Sequence, residues 1–301
     1  MTGSVQKPEN FTAVAIGQAG AKMAKKHRHT GSRILRGLVW LSGALVAAFF
    51  LLLVGFILIK GIPNLKPSLF SLEFNSENVS MLPAIFNTLE VIALTLLLAV
   101  PLGVGAAVYL TEYAKRGSKL VKVIRMTTET LQGIPSIVYG LFGFIVFVIT
   151  LHWSYSMLAG ILTMTVMVLP IIIRTTEEAI LAVPDSFREA SFGLGAGKVR
   201  TVFRVILPAA MPGILSGVIL ATGRVAGETA ALIFTAGTAG NFTGNPMNSA
   251  RTLAVHLYSL WNEGLYTNEA YATMVVLLVM VVLINALSDF VSRKLVKHYG
   301  N

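Results

Sequence analysis

Glu189–Pro208 reads EASFGLGAGKVRTVFRVILP, a polar, basic, glycine-broken segment between two apolar runs. It holds too many charges to cross a bilayer. Ser186-Phe187-Arg188-Glu189, just upstream, has the spacing of a capping box, in which hydroxyl and carboxylate satisfy free N–H groups at a helix start. Pro184 and Asp185 before it are helix-start residues. Gly193, Gly195 and Gly197 then interrupt the helix, and apolar residues resume before Pro208. The pattern predicts a helix over 185–194, a sharp turn and a second helix, exposed on one side of a membrane and able to lie in a groove on another protein.

The flanking chain explains why a membrane is involved. Of 301 residues, 54% are hydrophobic and 13% charged, against about 25% charged in a soluble domain. Without a cysteine there is no disulfide and no thiolate metal site. The net charge of +10 does not point to nucleic acid, because the basic residues sit at the ends of apolar spans.

Six spans are predicted, at about 37–59, 88–111, 134–151, 157–173, 213–234 and 271–288. Each is close to the roughly 20 residues needed to cross the hydrocarbon core. Together they make residues 37–296 a transmembrane domain, between a basic tail over 1–36 and a short tail over 297–301. The first tail lacks the apolar core of a secretory signal. Residues 175–208 form the loop between the fourth and fifth spans. Pro101, Gly103 and Gly105 in the second span, and Pro170 in the fourth, are tolerable where neighbouring helices support the backbone. Within the polar stretch 235–270, Ala250–Trp261 is amphipathic enough for an interfacial helix. Twenty of the 24 Lys and Arg residues fall on one side of these spans and three on the other; Arg224 lies within one. Positive residues mark the cytoplasmic side, so both termini and the 175–208 loop are expected there.

No catalytic or metal-ligating constellation stands out. Gly193–Val199 superficially looks like a phosphate loop, but Phe192 occupies the place of the first Gly and Val199 follows the Lys where Ser or Thr is required. No ATP site is expected on this chain, and its five histidines lack ligand spacing. The informative ionisable residues are Arg224 and Glu228. An arginine in mid-membrane costs about 2.5–3.5 kcal/mol on insertion scales, and the i, i+4 spacing would let the two pair on one helical face. Such a pair either ties helices together or presents a guanidinium, whose planar donors match an oxyanion. Glu228 would then hold Arg224 or accept a proton. Arg174 closes the fourth span, where a snorkelling arginine is ordinary.

Glu189-Ala190-Ser191, three residues, Gly195, nine residues and Val205-Ile206-Leu207-Pro208 resemble the EAA motif of ABC importer permeases, with Ser191 for alanine and Val205 for isoleucine. The resemblance implies that Glu189, Ala190, Ser191, Gly195, Leu207 and Pro208 belong to the loop that docks on a cytoplasmic ATPase. Arg224–Ala230 (RVAGETA), Gly133–Phe142 (GIPSIVYGLF) and Arg174-Thr175-Thr176-Glu177 (RTTE) further resemble the phosphate-specific permeases of the PstA type. Ala231 departs from that pattern, where many members have proline. This likeness covers roughly Leu82 to Phe290. It implies an all-α integral membrane protein with the type I ABC importer permease fold, in a bacterial inner membrane, whose phosphate path involves Arg224, Arg174 and Glu228. It further implies an ATPase dimer that binds the ATP, a second related permease and an external phosphate-binding protein as partners.

Three alternatives stay open at this level. The architecture could carry sulfate or molybdate. An ion-coupled secondary transporter would need several intramembrane carboxylates or histidines, whereas only Glu228 is clearly intramembrane. A sensory or scaffold protein would use the basic loop for docking and leave Arg224 dispensable for uptake.

Overall fold

The computed structural model describes residues 30–115 and 117–299, with side chains over 34–115 and 117–294. All regular structure among the described residues is helical. The chain divides at Phe56 and Ile57 into two compact units. The first contains most of α1, Thr30–Gly61, apolar on every face; the helix takes in Arg33 and Arg36, which the sequence places in the basic tail. The remainder of that tail, 1–29, lies outside the described residues.

The second unit is organised around α5, Met157–Leu181. It begins where the Ser156 hydroxyl accepts a bond from the Ala159 N–H at 3.3 Å, an N-cap that satisfies one orphan donor. Two-thirds of its most apolar window is buried, unlike any other long helix. It packs against α2, Leu82–Tyr113, and α7, Lys198–Ala226. Contact is close because small residues face large ones: Gly103 of α2 lies against Ile172, and Gly217 of α7 against Thr175. In a membrane such small positions let backbones approach, and packing supplies the association energy.

Among the described residues, five helices are long and apolar enough to cross a membrane, α1, α2, α5, α7 and α10 (Thr267–Tyr299). The span expected over 134–151 is not among them. α3, Lys119–Gln132, and α4, Ser136–Thr150, reach that length and hydropathy only together and meet at a bend of 104°, as in a broken span or a re-entrant loop. Pro135 explains the break: it is held at φ −59°, ψ 141°, and its ring pushes the preceding residue out of the helical region. Gln132 closes the corner by donating to the Pro170 carbonyl of α5 at 3.0 Å.

The span expected over 213–234 is also interrupted. α7 ends at Ala226, and α8, Ala230–Thr235, starts after Gly227–Thr229. Hydropathy alone reads these residues as one helix, but a glycine and two polar residues let the backbone turn. After α8 an irregular segment reaches α9, Leu253–Glu263. It is tied to α2 by Asn87, which donates to the Arg251 carbonyl at 3.2 Å, and by Thr88, which accepts the Leu253 N–H at 2.8 Å. α9 ends at Gly264, at φ +70°, a left-handed position that glycine takes at little cost.

Candidate functional site

The loop after α5 forms α6, Asp185–Gly193. The expected capping box does not form: Pro184 is the capping residue, no side chain caps the helix, and Ser186 falls inside the first turn. The C-terminus is better specified. The Ala196 N–H reaches the Ser191 carbonyl at 3.1 Å and the Gly195 N–H reaches Phe192 at 2.9 Å, the paired bonds of a Schellman stop. Gly195 has φ +82°, so the glycine of the motif is the left-handed residue this stop needs. The Ser191 hydroxyl, where the motif has alanine, lies buried 2.8 Å from Thr201 Oγ1 of α7 and fastens the turn. Glu189 and Ala190 are exposed, as are the apolar side chains of Phe187, Phe192 and Leu194. Leu207 and Pro208 are half-buried within α7. α6 and its C-terminal end therefore present large apolar side chains to solvent, as docking surfaces do.

The GIPS-like and GETA-like stretches, some ninety residues apart in sequence, meet in space. A Cβ on Gly140 of α4 would lie 2.7 Å from Ala231 Cα of α8. Tyr139, Val225, Ala226, Ala231 and Leu232 share one buried cluster. The two broken helices thus pack break to break.

Arg224 stands in the last turn of α7, where the helix dipole favours a cation. It is half-buried and makes no hydrogen bond or ion pair to a described residue; its charge does reach the Tyr139 phenol. The pairing expected with Glu228 is absent, because the helix that would align the two residues stops at Ala226. Glu228 Oε1 instead accepts the Ala231 N–H at 3.1 Å and caps α8.

Arg174 is differently placed. Its Nε donates to Glu178 Oε1 at 2.9 Å and its Nη1 to Glu129 Oε1 at 3.2 Å. Beside it Arg125 pairs with Glu177. These residues line a cavity of about 250 Å³ between α3 and α5. Arg174 and Arg224 are not brought together. Thr175 lies beside Gly217, which sets Arg174 about six residues below Arg224 along α7, roughly 9 Å of helix rise. Sequence reasoning missed the Glu129 and Arg125 partners, which come from α3; only the Arg174–Glu178 spacing was legible.

A family model for the "Binding-protein-dependent transport system inner membrane component" matches residues 99–300. The chain is 36% identical over 294 residues to the probable ABC transporter permease protein YqgI of Bacillus subtilis, covering 90% of this chain and 98% of that one. It is 33% identical to the phosphate transport system permease protein PstA of Haemophilus influenzae, covering 83% and 91%. Among solved structures it resembles a bacterial ABC transporter involved in the import of the acidic polysaccharide alginate, with TM-score 0.60 and 16% identity over 88% of this chain and 98% of that one. It also resembles the MetNI methionine ABC transporter, with TM-score 0.56 and 20% identity over 80% and 97%. At these identities the likeness shows a shared fold, that of ABC importer permeases. With two-thirds of its length matched by one family model, the chain belongs to the inner membrane components of binding-protein-dependent transport systems.

Proposed function

We propose that this chain is the permease subunit of an ATP-driven importer of inorganic phosphate. The observation that carries the reading is Arg224, a half-buried cation left without a counter-ion among the described residues where two broken helices meet. A cation retained at such cost faces a water-filled path or an anion. Its planar donors suit an oxyanion, and broken helices at membrane depth are tolerated where they line a cavity. The phosphate transport permeases among the relatives supply the substrate.

In this account α6 and the turn through Gly195 dock on a cytoplasmic ATPase dimer that binds the ATP. This chain pairs with a related permease, and an external binding protein delivers phosphate. Both termini and α6 lie on the cytoplasmic side, the side with the excess of Lys and Arg. Arg224 offsets the desolvation of the anion during passage. Glu228 does not hold Arg224 by ion pairing; it caps α8 and so maintains the break beside the arginine. Arg174 acts later and more weakly, since Glu129 and Glu178 compete with the anion for its donors. That competition suits an exit, where binding must be weak enough for release. An Arg224→Gln variant, inserted at normal levels in the complete complex, loses phosphate uptake; wild-type uptake by this variant would overturn the reading.

A further inference from the structure

The docking helix α6 is held to the ends of α2 and α5 by one side chain, that of Arg188. Arg188 has five N–H donors, and the structure provides acceptors on every side of its guanidinium. Nε and Nη2 donate to Glu112 Oε1 at 3.0 and 2.8 Å. Nη2 also donates to the Ile180 carbonyl at 3.1 Å. Nη1 donates to the Val183 carbonyl at 3.0 Å and to Asp185 Oδ1 at 3.1 Å. These acceptors belong to three elements. Glu112 lies in the π-helical last turn of α2, Tyr109–Tyr113. Ile180 is in the last turn of α5, and Val183 is in the link to α6. Only 16% of the Arg188 side chain and 11% of the Glu112 side chain are exposed, so the pair is weakly screened compared with a surface bridge. The guanidinium also sits against carbonyls at the end of α5, where a cation is favoured by the helix dipole. The other fastening of α6, Ser191 to Thr201, runs to α7.

We propose that Arg188 is the positioning residue that makes α6 and the ends of α2 and α5 one rigid body, so that a displacement of α6 moves both helices together. The inference rests on the ATP-driven reading for its consequence, since the ATPase supplies the displacement. Its geometry does not depend on that reading. A lysine cannot replace this arginine, because its single ammonium carries three donors without the planar fork and cannot span acceptors on three elements.

The experiment uses the complete reconstituted complex. Arg188→Lys keeps the ATPase bound and its hydrolysis within about twofold, while phosphate moved per ATP falls about tenfold or more, the scale set by losing hydrogen bonds to a charged group. A merely structural role would lower hydrolysis and uptake in step and leave their ratio unchanged. The chain has no cysteine, so Ser186→Cys on α6 and Tyr109→Cys on α2 give two spin-label sites in an otherwise native chain. With Arg188 present, the label separation is a single narrow distribution that ATP does not shift; in the Arg188→Lys variant it broadens. An unchanged transport ratio in Arg188→Lys, or a native separation that shifts by several ångströms with ATP, overturns the proposal. Should Arg188→Lys fail to assemble, the native distribution decides alone. Phosphate uptake by the unmodified complex without ATP would remove the importer reading, whereas the distances measured without nucleotide still test the rigid body.

Discussion

The contact between the broken helices makes a quantitative demand at Gly140. A Cβ added there would stand 2.7 Å from Ala231 Cα and 3.2 Å from the Ala230 carbonyl oxygen. Carbon atoms in good contact are about 3.5–4.0 Å apart, so Gly140→Ala forces α4 and α8 apart by roughly 1 Å. The obstacle is backbone, and Ala231 is fully buried, so no flexible side chain can yield. Overpacking of this kind costs about 1–3 kcal/mol. If that cost falls on the fitted arrangement of α8, the population of that arrangement drops about 5- to 150-fold, at 1.4 kcal/mol per decade. Alanine is apolar and favours helix, so insertion itself should be unaffected. ATP-driven phosphate uptake in proteoliposomes, corrected for the amount of complex inserted, is expected to fall by roughly fivefold or more. Gly105→Ala, with no atom within 4 Å of the added carbon, is the matched control and retains uptake. Full uptake by Gly140→Ala at equal insertion would refute the argument that the meeting of the breaks positions the path.

Other expectations follow from the same structure. Ser191→Ala restores the alanine of the motif but removes the bond to Thr201; it should destabilise the complex by about 1 kcal/mol, read from denaturant melts. Adding Thr201→Val should cost less than the sum of the two single changes, which a double-mutant cycle measures. Replacing Glu129 and Glu178 together by glutamine frees Arg174, so half-saturating phosphate and turnover should both fall, by about two- to fivefold given the worth of exposed pairs; unchanged kinetics would remove Arg174 from the path. His256 in α9 is fully buried, and burial, with the Arg251 charge second, lowers its pKa from 6.5 to about 3. The Val79 carbonyl opposes this shift without closing a well-formed bond to either ring nitrogen, and the Glu263 charge works against the lowering of the Arg251 pKa by burial. A depressed pKa means that the stability of the neutral ring is present above pH 6.5 and lost as pH falls toward 3; at about pH 5 the loss is ~2 kcal/mol. Thermal unfolding at about pH 7 and about pH 5 should show this loss, and His256→Gln should lack it; equal pH dependence in the two proteins would contradict the assignment.

The spans were legible because an uncharged run of some 20 residues has few other uses. The helix and turn between the fourth and fifth spans were legible because glycine and charge interrupt apolar sequence at fixed places, and Gly195 proved to be the left-handed residue of a helix stop. The break after Ala226 was not, since hydropathy sums over a segment and does not register a turn that tertiary packing against Gly140 sustains. The same break dissolved the expected Arg224–Glu228 pair: i, i+4 reasoning holds only inside an unbroken helix. Arg188 read as filler within a capping box, because its chief partner, Glu112, lies 76 residues away. Arg174 read as a snorkelling arginine for the same reason, with Glu129 45 residues distant. Long-range ion pairs leave no local pattern, which is why the electrostatics of the site needed the fold.

The most direct test of the central claim is uptake of labelled phosphate by the reconstituted complex, with and without ATP, in competition with sulfate and molybdate. The account predicts uptake that requires ATP and is competed by phosphate alone. Uptake without ATP would contradict the importer reading, and competition by sulfate or molybdate would contradict the phosphate assignment while leaving the architecture in place.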